Sequence, residues 1–145
     1  IRSGEVQISR LKGKLTVNLV EKILFESGSA EIKPQGLEVL QRVGIVLKKI
    51  KDKNIRVEGH TDNIPISSRL KMTFPSNWEL STTRAVNVVH FLQEKVGIAG
   101  KKLSACGFSQ YRPVKDNRSA EGRAQNRRIQ IVLVPEDSQV VKALP

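Results

Sequence analysis

The chain has 145 residues, of which 39% are hydrophobic, 27% charged and one a cysteine. This composition is typical of one globular domain with its own core. A single cysteine excludes an internal disulfide and a cysteine-rich zinc site. The sequence also contains no apolar run of the roughly 18 residues that would span a membrane. The formal net charge of +11 predicts an anionic neighbour such as nucleic acid, a lipid surface or an acidic polymer.

The chain begins at Ile1 and shows no signal-peptide pattern. We expect residues 1–14 to be an N-terminal extension or linker that follows an upstream membrane anchor. Residues 15–135 are expected to form the folded domain, and 136–145 a loosely held tail.

Alternating apolar residues predict two short strands at the start of the chain, over Glu5–Ile8 and Leu15–Leu19. A turn is expected between them at Lys12–Lys14. A loop is expected after Phe25. These strands would form an N-terminal hairpin.

Helical periodicity begins at Pro34, a residue that suits the first turn of a helix. Apolar residues then recur every three to four positions as far as Ile50, so a helix is predicted over 34–51. Ile55 and Val57 alternate with polar neighbours, which predicts a short strand that ends at Gly59.

A second helix has clear start and stop signals. Ser76 followed by Glu79 is a capping box, in which each side chain satisfies a free backbone N–H of the first turn. Apolar residues from Ala85 to Val96 form its core stripe, and Gly97 allows a left-handed stop.

The last third of the chain predicts a strand over Leu103–Phe108, a short helix near Ser119–Gln125 and a strand over Arg128–Val134. Strands interleaved with two amphipathic helices indicate an α/β (α+β) fold with a βαβαβ core. Each long helix has one apolar stripe, so both should cover the same face of a sheet as a two-layer sandwich.

Asp62 and Arg84 are the candidate binding residues. Asp62 follows the predicted strand, and Arg84 shares a helical stripe with Asn77 and Leu80 at the margin of the buried face. A carboxylate and a guanidinium held apart suit a ligand that carries both charges. Spacing alone leaves open the alternative that Asp62 and Arg84 pair with each other.

The sequence offers few residues that could serve as a catalytic nucleophile or as metal ligands. His60 and Asp62 supply at most two ligands, His90 lies near the core stripe of the second helix, and Cys106 has no recognisable partner. We therefore expect no catalytic residues, no metal and no cofactor. His60 is expected to hold the turn by hydrogen bonding, and Cys106 to be a small buried residue.

Nucleic-acid binding is the function that the charge alone would favour. Residues 101–134 contain eight Lys or Arg against Asp116 and Glu121. No recognition-helix motif is present, however, and aromatic residues make up only 4%, too few for a stacking platform. We therefore expect no nucleic-acid partner.

Four stretches together carry a family resemblance: Phe25–Ile32 (FESGSAEI), Val57–Asn63 (VEGHTDN), Leu80–Ala85 (LSTTRA) and Gly122–Ile129 (GRAQNRRI). In order and in register, over about residues 15–134, they resemble the OmpA/MotB C-terminal domain family. Each stretch alone is weak evidence for the family, but four stretches in the same order and register are a specific signal. The resemblance implies an OmpA-like two-layer sandwich with a mixed sheet.

The resemblance also implies a function, which is binding of peptidoglycan without catalysis. In the family, the Asp of the His-Thr-Asp turn and the Arg of the Leu-Ser-x-x-Arg-Ala helix hold diaminopimelate, whose distal carbon bears an ammonium and a carboxylate. Those positions are Asp62 and Arg84 here. The further residues assigned to the site on this resemblance are Thr61, Asn77, Leu80, Arg127, Gly28 and Ser29. A solvated or salt-bridging role for Arg127 stays open.

Within the family, Pro75–Ser81 (PSNWELS) is most similar to the MotB subunits of flagellar stators. This similarity implies a periplasmic domain of an inner-membrane protein, a homodimer, and a MotA-like channel partner that is bound through the upstream part. The alternative is the wall-tethering domain of an outer-membrane lipoprotein or porin. Residues Arg69–Pro75 exceed the common pattern and could cover the pocket or contact a partner.

Overall fold

The computed structural model describes residues 6–11 and 14–136. Glu5 of the first predicted strand, two residues of the predicted turn (12 and 13) and the tail beyond residue 136 lie outside the described residues. No helix within the described ranges has the length and hydropathy of a membrane span.

A five-stranded sheet forms one layer of the fold. Its strands are β1 (Val6–Leu11), β2 (Lys14–Val20), β3 (Lys53–His60), β4 (Leu103–Gly107) and β5 (Arg128–Pro135). Their spatial order is β1-β2-β5-β3-β4. β3 and β4 are parallel and the other neighbouring pairs are antiparallel, so the predicted mixed sheet is confirmed.

The helices are α1 (Glu21–Leu24), α2 (Pro34–Lys48), α3 (Asn77–Phe91) and α4 (Ala120–Asn126). α3 continues into a π-helical turn over Leu92–Val96 and stops at Gly97, whose φ of 90° is left-handed as predicted. Ser76 caps α3 by accepting a hydrogen bond from the backbone N–H of Trp78, which confirms the predicted start.

α2 begins at Pro34 as predicted but ends three residues earlier than expected. Gly36, Leu40, Gly44 and Leu47 form its buried stripe. The chain then reverses through Asp52, whose φ of 65° is left-handed, because it must turn back to enter β3. Apolar Ile50 therefore follows the helix and does not belong to it.

The core lies between the sheet and the two long helices. Its fully buried members include Leu19, Leu40, Val57, Val88 and Ile131. Residues that alternate with these on the strands, among them Thr16, Glu58 and Arg128, face the other way, onto a helix-free face that is largely polar. The predicted two-layer arrangement, with α2 and α3 on one face, is thus confirmed.

Gly59 brings the end of β3 against α3. A Cβ at this position would collide with the backbone of Ser81, so only glycine permits this close approach. Ser81 is fully buried, and its hydroxyl accepts a hydrogen bond from the backbone N–H of Ser109, 3.1 Å away. This contact places the turn that carries Asp62 directly beside α3.

Candidate functional site

Asp62 lies in a rigid turn at the end of β3. Its Oδ1 accepts a hydrogen bond from the backbone N–H of Ile64, at 2.9 Å. The Asn77 side chain donates to the Ile64 carbonyl at 3.0 Å, and the backbone N–H of Thr61 donates to the Ser109 carbonyl at 2.9 Å. The turn is therefore held from two sides, and the Asp62 carboxylate has a fixed position.

Arg84 is buried, with a fractional exposure of 3%, so its predicted place at the margin of the buried face is wrong. The loop after α1 folds over it. Its guanidinium donates to the carbonyls of Ser29 at 2.8 Å and Glu26 at 3.3 Å, and to Glu21 Oε2 at 2.8 Å. The Phe25 ring lies against it, 4.6 Å away. This environment fixes the orientation of Arg84.

Glu21 and Arg127 connect Arg84 to Asp62. Arg127 donates from Nε to Glu21 Oε1 at 3.0 Å and from Nη1 to Asp62 Oδ2 at 2.7 Å. Within the described residues, no ion pair joins Asp62 directly to Arg84. The four side chains form a chain of alternating charge, Arg84–Glu21–Arg127–Asp62, which we name the Asp62 cluster. Arg127 therefore has a salt-bridging role in this structure.

Burial and neighbouring carboxylates act in opposite directions on the pKa values of Arg84 and Arg127. Burial lowers the pKa of Arg84, and the neighbouring Glu21 carboxylate opposes that effect. Burial also acts to lower the pKa of Arg127, but the hydrogen bond that Arg127 donates to Asp62 and the charge of Glu21 outweigh it, so this pKa is raised. Both guanidiniums stay cationic near neutral pH, and the two carboxylates balance them.

The other residues assigned to the site from the sequence shape its walls. Gly28 has a left-handed φ of 72° in the loop that covers Arg84, and Ser29 contributes its backbone carbonyl. Leu80 is buried against Ala30 and Phe74. The Thr61 hydroxyl donates to the Asp62 carbonyl at 2.7 Å. Arg127, which was also assigned to the site from the sequence, donates a side-chain hydrogen bond to the Asp62 carboxylate.

Glu21 was missed by sequence reasoning. It lies 63 residues before Arg84 and 106 before Arg127, and no local motif marks it. The backbone N–H of Glu21 also donates to the Arg127 carbonyl at 2.8 Å. Only the pairing of β2 with β5 brings these two positions together.

His60 does not hold the turn as expected. It is buried on the helix-free face, where Nε2 lies 3.1 Å from Glu58 Oε1 and the ring stacks on Phe108 at 5.1 Å. His90 is exposed beside Glu94, and Cys106 is half-buried on β4. Within residues 6–11 and 14–136, no group of three His, Cys, Asp or Glu side chains could hold a metal ion.

Comparison with known proteins gives a family match. The model of the OmpA family matches residues 24–127. Two curated relatives are Motility protein B of Bacillus subtilis, 37% identical over 83% of this chain, and the peptidoglycan-binding protein ArfA of Mycobacterium tuberculosis, 33% identical over 77%. The aligned regions cover 45% and 32% of those proteins. The chain thus spans at most about half the length of either relative.

Solved structures share the fold. A MotB-like protein from Desulfovibrio vulgaris superposes with a TM-score of 0.84 at 31% identity, over 92% of this chain and 83% of that one. The cell wall anchor of the T6SS from Pseudomonas aeruginosa superposes with a TM-score of 0.82 at 36% identity, over 92% and 90%.

We predict that Glu21→Gln lowers the free energy of unfolding by about 3 kcal/mol, because it leaves two guanidiniums of the Asp62 cluster facing an amide. Glu38→Gln is the matched control, since Glu38 forms an exposed pair with Arg42 and should cost about 0.5 kcal/mol or less. Urea denaturation measures both. Equal losses for the two variants would contradict a structural role for the Asp62 cluster.

A second prediction concerns pH. Burial lowers the pKa of His60 against the opposing effect of Glu58, while Arg128 and Arg112 lower it further. The unfolded chain therefore binds a proton more readily, so stability is full above about pH 6.5 and falls as pH drops below it, by at most about 1.4 kcal/mol per pH unit. Urea denaturation at pH 7.5, 6.5 and 5.5 measures this slope.

His60→Gln should flatten that slope because glutamine does not titrate, and His90→Gln should keep it because His90 is exposed. An unchanged slope in His60→Gln would show that the pH dependence arises elsewhere.

Proposed function

The chain belongs to the OmpA family, and from this membership and the Asp62 cluster we propose that the domain binds peptidoglycan without cleaving it. Its role is to anchor an envelope protein to the cell wall from the periplasmic side. Two similar proteins support the proposal, one named as peptidoglycan-binding and one described as a cell wall anchor.

The charge balance of the Asp62 cluster is the observation that carries the proposal. It holds two carboxylates and two guanidiniums. A ligand with one ammonium and one carboxylate adds no net charge to such a site. The distal carbon of diaminopimelate carries both groups, so it can exchange bonds with the cluster without leaving a buried charge unpaired.

Arg127 is the member of the Asp62 cluster whose side chain a ligand can displace. Its side chain is 33% exposed, whereas that of Arg84 is 4% exposed. We propose that the ligand ammonium takes the place of Arg127 at the Asp62 carboxylate. The displaced Arg127 is then free to donate to the ligand carboxylate.

Arg84 also has capacity for the ligand carboxylate. Three of the five N–H groups of its guanidinium are used by described residues, which leaves two donors. Arg84 therefore fixes the loop that carries Ser29 and supplies donors to the ligand from the inner end of the Asp62 cluster. A lysine at this position cannot do both.

We predict that Asp62→Asn and Arg127→Gln each weaken binding to purified sacculi about ten- to a hundredfold, because each removes a charge-assisted hydrogen bond. Arg84→Lys should also fail to bind. The matched control is Arg118→Gln, which breaks an exposed arginine–carboxylate pair with Asp116. Co-sedimentation with sacculi measures binding, and circular dichroism checks that each variant is folded.

Folded Asp62→Asn and Arg127→Gln variants that bind sacculi as tightly as the parent would show that the Asp62 cluster is not the binding site. The same incubation tests the absence of catalysis. Muropeptides released by the parent chain and not by His60→Ala would overturn the non-catalytic assignment.

We further propose that the whole protein is a flagellar stator subunit. The similarity to Motility protein B and the stretch Pro75–Ser81 support this assignment. A stator needs a rigid wall anchor that binds without cutting, and two tethered copies would gain avidity. The proposal includes a homodimer, an upstream membrane anchor in the inner membrane and a MotA-like channel partner. The alternative is the tethering domain of an outer-membrane lipoprotein or porin.

Deletion of the gene in its own organism separates these roles. A stator predicts loss of swimming with flagella still assembled, since torque needs the wall anchor. An envelope tether predicts normal swimming and a leaky or blebbing envelope. Complementation with Asp62→Asn should leave the stator deletion non-motile, and full rescue would mean that the motor does not need this pocket.

A further inference from the structure

A second polar site lies on the helix-free face of the sheet. A cavity of about 460 Å³ opens there, between β2, β3 and β5 and the loop that follows β4. We name it the sheet-face cavity. Its described lining includes four cationic residues, Lys14, Arg56, Arg112 and Arg128, against one acidic residue, Glu58.

Arg128 is a buried cation that forms no ion pair with any described residue. It is 4% exposed, and the described acceptors of its guanidinium are neutral oxygens, those of the Gln130 side chain and of the Asn126 and Arg112 carbonyls, at 2.7 to 3.0 Å. Burial lowers the pKa of Arg128 to about 10. Buried charges in proteins are normally paired, so this guanidinium has unused capacity for an anion.

The charge of Glu58 opposes the effect of burial on the pKa of Arg128, but the hydrogen bonds of this carboxylate go to other residues. Its Oε2 accepts a hydrogen bond from Arg56 Nε at 2.7 Å, and its Oε1 lies 3.1 Å from His60 Nε2. Both oxygens are therefore engaged. The cavity keeps an excess of positive charge after this pairing is counted.

Arg112 is held at the rim of the sheet-face cavity by stacking. Its guanidinium lies 4.4 Å above the Phe108 ring, and Phe108 stacks in turn on the buried His60. Among the described residues, no carboxylate forms an ion pair with Arg112. Stacking restricts its motion while leaving its N–H groups available, which is how arginines are oriented for oxyanions.

We propose that the sheet-face cavity binds an oxyanion of the phosphate class. Arg128 provides a buried guanidinium at the base, and Arg112 provides a second at the rim. A phosphate group has enough oxygens to accept from both and from Arg56 as well. The group could be free in solution or carried on a lipid head, and the chemistry of recognition is the same.

This site is separate from the Asp62 cluster. Glu58 and His60 alternate along β3 with core-facing Val57, so the cavity lies on the face of the sheet opposite to α2 and α3. Loss of one function therefore need not remove the other. The proposal does not depend on peptidoglycan binding.

Calorimetric titration with inorganic phosphate, against chloride at equal ionic strength, tests the proposal on the full chain. The parent should bind phosphate, and Arg112→Gln should weaken binding about ten- to a hundredfold. Arg69→Gln, which removes an exposed arginine elsewhere, should have no effect. Arg112 is exposed, so its variant should fold even if Arg128→Gln does not.

Flotation with vesicles distinguishes the two sources of phosphate. Binding to phosphatidylglycerol vesicles but not to phosphatidylcholine vesicles, lost in Arg112→Gln and kept in Arg69→Gln, supports a phosphate presented on a lipid head. Calorimetric binding with the same dependence on Arg112 supports a free anion. Absence of both, or equal weakening by Arg69→Gln, overturns the proposal.

Discussion

The alternating salt bridges from Arg84 to Asp62 are the interaction on which the rest of the site depends. They connect α3, the start of α1, the junction between α4 and β5, and the turn after β3. None of these segments is adjacent to the next in sequence. Because one chain of charges holds all four, the position of each binding group is set by the fold as a whole.

A buried chain of charges is costly unless every member is paired. In the Asp62 cluster each carboxylate contacts a guanidinium, and Arg84 also donates hydrogen bonds to the Ser29 and Glu26 carbonyls. Under the proposed function, the same pairing selects the ligand. A ligand with a single charge would leave one group of the cluster uncompensated, whereas one with both charges can exchange partners. Stability and the proposed specificity would then have the same physical origin.

Local signals made much of the fold predictable. The apolar periods of α2 and α3, the cap at Ser76 and the stop at Gly97 each depend on nearby residues, and the structure contains them. α1 was missed because four residues are too few to show a period. The end of α2 was missed because Ile50 continues the apolar pattern although the chain has already left the helix.

The candidate site was only partly predictable. Asp62 and Arg84 lie in recognisable stretches of the sequence. The side chains of Glu21 and Arg127 lie between them in space, and tertiary packing brings these two residues in from distant parts of the chain. The placement of His60 failed for a related reason. Its hydrogen bond goes to a residue two positions back on its own strand, because strand alternation places both side chains on the helix-free face. β3 ends at His60, and the turn that follows carries Asp62 to α3 instead.

We propose that the Asp62 cluster requires a ligand with both charges on one carbon. Calorimetry tests this requirement with two soluble stem peptides, one ending in diaminopimelate and the other in lysine, which keeps the ammonium and lacks the distal carboxylate. The lysine peptide is expected to bind at least about tenfold more weakly, because one charge-assisted hydrogen bond is lost. Equal affinities for the two peptides would show that the distal carboxylate is not recognised.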